Sequence, residues 1–207
     1  MTVRKGLLIL GFGGHARSVA DVALSSGIKQ LLFIDANARD GEQFLGFRIL
    51  RSMEGSLTKG WQCLPASGDN MTRKLQVEMA ELQNWPLATL VSPTATIGMG
   101  SVISPGCFIA HHAHVGPMVT IGQGCIINTR AIVEHDCIVG DYSHISIGTS
   151  VAGRSVVGDF CSIFAGSTVI DSLEICSDVI VGGGAVVIRN IQKPGVYVGV
   201  PAKRVNK

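Results

Sequence analysis

Charge is scarce in this sequence. Asp, Glu, Lys and Arg make up 15% of the 207 residues and nearly cancel, leaving a formal net charge of +2. So small a charge gives no support to nucleic acid or a membrane surface as a partner. Aromatics are also few, at 5%, against 26 glycines. That balance suits a turn-rich β protein with small corners better than a helical bundle. No run of eighteen apolar residues occurs, so no transmembrane helix is expected. The apolar stretch Leu7-Leu8-Ile9-Leu10 runs straight into Gly11-Phe12-Gly13-Gly14-His15. It lacks a small-residue cleavage site, so a signal peptide is not expected and a cytoplasmic location is. There are six cysteines but no Cys-x-x-Cys pair. What is plentiful is hydrophobic residues, at 46%, enough for a sizeable core in one large domain or two small ones.

A repeat dominates the second half. Every sixth residue from Val91 to Val187 is Ile or Val, without a slip. One β-branched residue per hexad can point into a narrow prism and stack on its equivalents in neighbouring coils. The fifth position is mostly small (Ala95, Ser101, Cys107, Ala113, Cys125 and so on) and holds four of the six cysteines. They read as small buried residues and not as ligands. Three hexads per coil give a vertical period of eighteen residues. Handedness does not follow from spacing, and the crossover rule alone would predict right-handed coils.

The first ninety residues carry no repeat. The apolar run Gly6–Leu10, the Gly-rich loop, a helical pattern over Ala16–Leu24 and a second apolar run ending at Asp35 form a β–loop–α–β unit. Gly11-x-Gly13-x-x-Ala16 is a relaxed dinucleotide fingerprint. Its glycines let a phosphate reach the amide groups at a helix N-terminus. Asp35 can accept from ribose hydroxyls. The alternative is a tight turn with no ligand. Too few residues precede the repeat for both halves of a dinucleotide fold, so a half-size nucleotide site is expected and an NAD site is not. Further strands are expected at Phe47–Leu50, Trp61–Leu64 and Leu87–Val91, with an amphipathic helix over Thr72–Leu82.

Acyl transfer to an amine or hydroxyl needs a base at the nucleophile and donors at the developing oxyanion. His135, third in its hexad, is expected to face outward between Glu134 and Asp136, where a carboxylate can fix its tautomer. Gly153 lies one coil further on, and its N–H is a candidate donor to a thioester oxygen. Asn128 and His144 are candidate substrate or ligand contacts. His111, His112 and His114 cluster in one hexad, but no carboxylate or thiolate partner has metal-site spacing, so no metal is expected.

These segments also carry a resemblance. GFGGHARSVADVA, FID, SGDNMTRK, INTRAIVEHDCIVGDYSHIS, GGGAVVIRN and GVYVGVPAKRV together resemble the NeuD/PglD family of bacterial nucleotide-sugar acetyltransferases. The family joins an N-terminal half-Rossmann-like α/β nucleotide-binding domain to an all-β left-handed parallel β-helix. The resemblance implies a nucleotide-sugar-binding domain over 1–88 and a β-helix acyltransferase domain with a C-terminal tail over 89–207. It implies a homotrimer with acetyl-CoA bound between neighbouring β-helices. His135 matches the catalytic base, and Asp136 stands where the bacillosamine-pathway enzyme has a Glu. Asn128 matches a substrate-positioning Asn. His144, Gly153, Ala165 and Gly183 fall on the acetyl-CoA path, and Gly13, Gly14, His15 and Asp35 on the nucleotide-sugar contacts. Lys203 and Arg204 either meet CoA phosphates or form a solvated tail. The expected reaction is N-acetylation of a nucleotide-linked 4-amino-4,6-dideoxy sugar for a surface glycan. Sialic acid O-acetylation is the alternative within the family, and a non-catalytic β-helix scaffold the alternative outside it.

Overall fold

The computed structural model describes residues 5–205. The N-terminal region opens with β1 (Gly6–Leu10), α1 (Gly14–Ser25) and β2 (Leu31–Ile34). It continues with β3 (Gln43–Phe44), β4 (Phe47–Leu50), β5 (Trp61–Pro65) and α2 (Asn70–Leu82). The sheet order is β3-β4-β2-β1-β5, parallel throughout except for the β3–β4 pair. β1 is central and fully buried, as a continuous apolar run predicts for a strand covered on both faces. Leu7 and Ile9 pack towards α1, and Leu8 and Leu10 towards Ala80 of α2 and Trp85. The expected elements are present. The helices start earlier than periodicity suggested, because Gly13 and Asp69 occupy the N-cap positions. The Asp69 side chain accepts from the Thr72 N–H at 2.8 Å. The last expected strand is confined to Leu90–Val91, with Leu87 making only an isolated bridge to Cys63.

From Leu90–Val91 to Val186–Val187 the chain forms a parallel β-helix of very short strands on three faces. Each strand pairs with the one eighteen residues on, as in His114↔Ile132 and Val115↔Val133. The first residue of each hexad points inward; Val115, Ile121, Ile127, Val133, Ile145 and Val151 are all fully buried. The fourth residue turns the corner in the left-handed region. Nine non-glycine residues, Asp136 and Tyr142 among them, stand there with φ of 54–61°.

The fifth position has a property beyond smallness. Cys107 Sγ–H donates to the Gly122 carbonyl, Cys125 to Gly140, Cys137 to Ala152 and Cys161 to Cys176. Ser143 and Ser155 do the same to Gly158 and Ile170. Each side chain reaches fifteen residues along, to a carbonyl at the second hexad position of the next coil. A Cys or Ser there fills a corner and satisfies a carbonyl at once. All six cysteines are free.

The strand Gly195–Val198 extends the third face by pairing with Val179–Val181, and Lys203–Val205 returns antiparallel on it. The N-terminal region leans on the same face. Phe108, Ala110 and Ile126 of the β-helix sit in one apolar cluster with α1 and the sheet.

Candidate active site

The Gly-rich loop delivers α1 to the edge of a cavity of about 390 Å³ lined by Gly11, Phe12, Gly13, Gly14, His15, Asp35, Ala66, Ser67, Gly68, Thr72 and Gln76. No side chain caps the α1 N-terminus. A Cβ on Gly13 or Gly14 would meet nothing within 4 Å, so the amide groups open onto free space. Asp35 spends both oxygens on backbone. Oδ2 accepts from the Phe12 N–H at 2.8 Å and Oδ1 from the Asn37 N–H at 2.9 Å. It therefore fixes the Gly-rich loop as well as facing the cavity.

His15 leads from this cavity to the β-helix. Its ring packs edge-on against Phe108 and lies 6.3 Å, centroid to centroid, from His144. His15 Nε2 is buried and has no hydrogen-bond partner among the described residues. Burial, then the charges of His144 and Arg73, lower its pKa to about 3. His144 Nε2 lies 3.0 Å from Asn128 Nδ2. Asn128 Oδ1 takes the Thr129 N–H, which leaves its amide to donate. Burial first, and Arg73 second, lower His144 to about 4, so both imidazoles are neutral at physiological pH.

His135 stands on a different corner. Its Nδ1 lies 2.8 Å from Asp136 Oδ2. The left-handed φ of 59° at Asp136 turns that carboxylate back on the preceding ring. An Nδ1–H donated to Asp136 leaves Nε2 as the basic nitrogen. Gly153 lies one coil along, and the Arg154 N–H bonds the His135 carbonyl at 2.9 Å. A Cβ at Gly153 would sit 2.6 Å from His135 Nε2, so the imidazole rests directly on the glycine backbone. No described residue accepts the Gly153 N–H. Ala165 and Gly183 stack on the corner shared with Thr129, where the Gly184 N–H bonds the Ala165 carbonyl at 2.9 Å. No atom lies within 4 Å of a Cβ built on Gly166 or Gly184, which makes this corner a bare strip of backbone.

One protomer thus gathers the expected residues into two groups. Gly13, Gly14, His15 and Asp35 connect through His144 to Asn128, whose neighbour Thr129 shares its corner with Ala165 and Gly183. His135, Asp136 and Gly153 occupy a separate corner. Two members of the three-histidine hexad already have partners. His111 bonds Ser92 at 2.7 Å and meets Asp21 of α1 at 3.2 Å, and His114 bonds Thr96 at 2.7 Å. Among the described residues no group of three or more His, Cys, Asp or Glu is arranged to hold a metal.

Sequence reading missed Arg73, a fully buried arginine on α2. Its signal was position. It shares the buried stripe of α2 with Val77 and Ala80, four and seven residues on.

A β-helix built on hexads, with an outward His–Asp pair on one of its turns, defines the class: this is a hexapeptide-repeat acyltransferase. Residues 6–80 match the family model described as the PglD N-terminal domain. The acetyltransferase domain of PglB from Neisseria gonorrhoeae FA1090 is 28% identical, with a TM-score of 0.90 over 97% of this chain and 100% of that one. PerB from Caulobacter crescentus, solved with CoA and GDP-perosamine, is 28% identical, with a TM-score of 0.88 over 97% of each chain. WeeI from Acinetobacter baumannii AYE, at 17% identity and a TM-score of 0.64 over 96% of this chain and 99% of that one, shares the fold. Over nearly its whole length the chain is thus similar to these acetyltransferases, and its residues 6–80 match the PglD N-terminal domain.

Proposed function

We propose that this protein transfers an acetyl group from acetyl-CoA to the amine of a nucleotide-linked 4-amino-4,6-dideoxy sugar destined for a surface glycan. The observation that carries the reading is the 2.8 Å bond between His135 Nδ1 and Asp136, on a turn where Nε2 remains the basic nitrogen. Support comes from the perosamine N-acetyltransferase of Caulobacter crescentus, a 26%-identical structure solved with CoA and GDP-perosamine.

His135 Nε2 takes a proton from the sugar amine as the nitrogen attacks the thioester carbon. The C–N bond forms, the C–S bond breaks, and the proton passes on to the departing sulfur. The Gly153 N–H donates to the oxygen on which charge develops. The bare backbone at Ala165–Gly166 and Gly183–Gly184 fits an extended pantetheine arm, which needs peptide partners and room. Residues 1–88 bind the nucleotide, with its diphosphate on the open α1 amides, and residues 89–207 carry out the transfer. His15 contributes a buried nitrogen that has no partner until a ligand supplies one. The separation of the His135 corner from the Asn128–His144 group implies that a neighbouring protomer completes each site, in a homotrimer.

Free-thiol release from acetyl-CoA tests the reading, against UDP-, dTDP- and GDP-linked 4-amino sugars with sialic acid alongside. Release with one amino sugar supports it and names the nucleotide. Release with sialic acid alone replaces it by O-acetylation. No release with any of them, by a protein that also binds no acetyl-CoA, returns the chain to a scaffold role.

A further inference from the structure

Arg73 is fully buried, yet no carboxylate lies within ion-pair distance of it among the described residues. Burial lowers its pKa to about 10, so it keeps its charge at neutral pH. A lone buried cation is costly unless its donors are satisfied. Here they are, by oxygens from two directions. Nη1 donates to the Ser67 carbonyl at 3.0 Å and to Gly68 at 3.3 Å. Nε donates to the Gly124 carbonyl at 2.6 Å, and Nη2 to the Tyr142 carbonyl and to Asn70 Oδ1. The Asn70 amide goes on to the carbonyls of Phe160 and Cys161 and to Ser162 Oγ, at 3.0–3.2 Å.

Residues 124, 142 and 160 are spaced by eighteen. Asn70 and Arg73 therefore read the same corner carbonyl on three successive coils. On its other side Arg73, which Asn70 holds through its Oδ1, grips Ser67 and Gly68, which line the nucleotide cavity. Room for the arrangement is exact to a methyl group. A Cβ on Gly124 would lie 2.8 Å from the Tyr142 ring, which stacks on Phe160 at 5.3 Å.

We propose that Arg73 and Asn70 form a positioning clamp that locks the Ser67–Gly68 wall of the nucleotide site to one corner of the β-helix. The clamp sets where the nucleotide sits relative to the acyl-transfer corner. It touches neither ligand. The inference rests on the reading of the cavity as a nucleotide site.

The test is calorimetric titration of UDP, dTDP and GDP into wild type, Asn70→Ala, Arg73→Met and Val169→Ala, each well below its own melting temperature. Val169→Ala opens a gap inside the prism, at a buried residue that takes no part in the clamp, and controls for general destabilisation. Asn70→Ala keeps the proposal testable if Arg73→Met does not fold. The expected result is binding of at least one nucleotide to wild type, weakened about tenfold in Asn70→Ala and unchanged in Val169→Ala. Equal affinity in wild type and Asn70→Ala overturns the clamp while leaving the nucleotide site standing. Equal weakening in Asn70→Ala and Val169→Ala also overturns it, as a plain stability effect. Binding of none of the three to wild type overturns the nucleotide reading, and the clamp with it.

Discussion

In the β-helix nearly every strand is two residues long and finds its partner eighteen residues away. In the N-terminal sheet, the strands of four or five residues find parallel partners sixteen to fifty-five residues away, as in Phe33↔Ile49, Leu7↔Leu31 and Gly6↔Trp61. The first region solves one packing problem repeatedly, with an inward Ile or Val, a left-handed corner and a small donor beneath the next carbonyl. The second solves several problems once each, and borrows Phe108, Ala110 and Ile126 from the first to close its core. Repetition leaves the outer corners free to differ, and there a His–Asp pair has been placed. The irregular region instead supplies open amides and an unpaired buried nitrogen. The difference suggests a division of labour, with chemistry on the repeat and recognition on the α/β region.

The sharpest way to break that division is His135→Ala. It should lower the turnover rate by about 10²–10⁴ while nucleotide affinity stays within twofold, measured by thiol release and calorimetry. Retained turnover would move the base elsewhere. Asp136→Asn tolerates the left-handed turn but loses the charge, and should cost about 10–100-fold.

A second contrast concerns packing. Ile145→Ala, inside the prism, should cost about 2–5 kcal/mol in urea unfolding. Gly140→Ala should also destabilise the β-helix strongly, because its Cβ would lie 2.6 Å from the Asp159 backbone nitrogen. Gly13→Ala meets nothing and should change stability by less than about 0.5 kcal/mol, while weakening nucleotide binding.

The junction of the two regions should respond to acid. His144 and His15 have pKa values near 4 and 3 in the fold, below the usual 6.5. The unfolded chain therefore takes up these protons first. Stability is full above pH 6.5 and falls as pH drops, until about pH 4 for His144 and about pH 3 for His15. The contributions are on the order of 3 kcal/mol for His144 and 5 kcal/mol for His15. Melting temperatures from pH 7 to 4 should fall less steeply in His144→Gln than in wild type.

The prism was readable because its rule is local: one β-branched residue in six sets face, register and coil together. His135 and Gly153 could be placed on one corner by adding eighteen. The expected small fifth position was right in size, but its donor role was hidden, since the carbonyl it satisfies belongs to another coil. Arg73 was hidden for a related reason. The two acceptors that dock it on the β-helix lie fifty-one and sixty-nine residues away, and nothing near it in sequence announces them. The two-group layout of the site also needed coordinates, because spacing in a hexad says which corner a residue occupies but not which corner the α/β region covers.

The contact at carbonyls 124, 142 and 160 has a consequence for how such a chain can vary over generations. Gain or loss of one eighteen-residue coil leaves every corner in phase, so the prism can grow or shrink by whole coils without rewriting the rest. Between Gly124 and Ser162 that freedom ends, because a coil added there would pull a carbonyl of the trio away from the other two. Length changes should accumulate in lineages beyond that stretch, towards either end of the prism, while the three docked coils stay fixed in number.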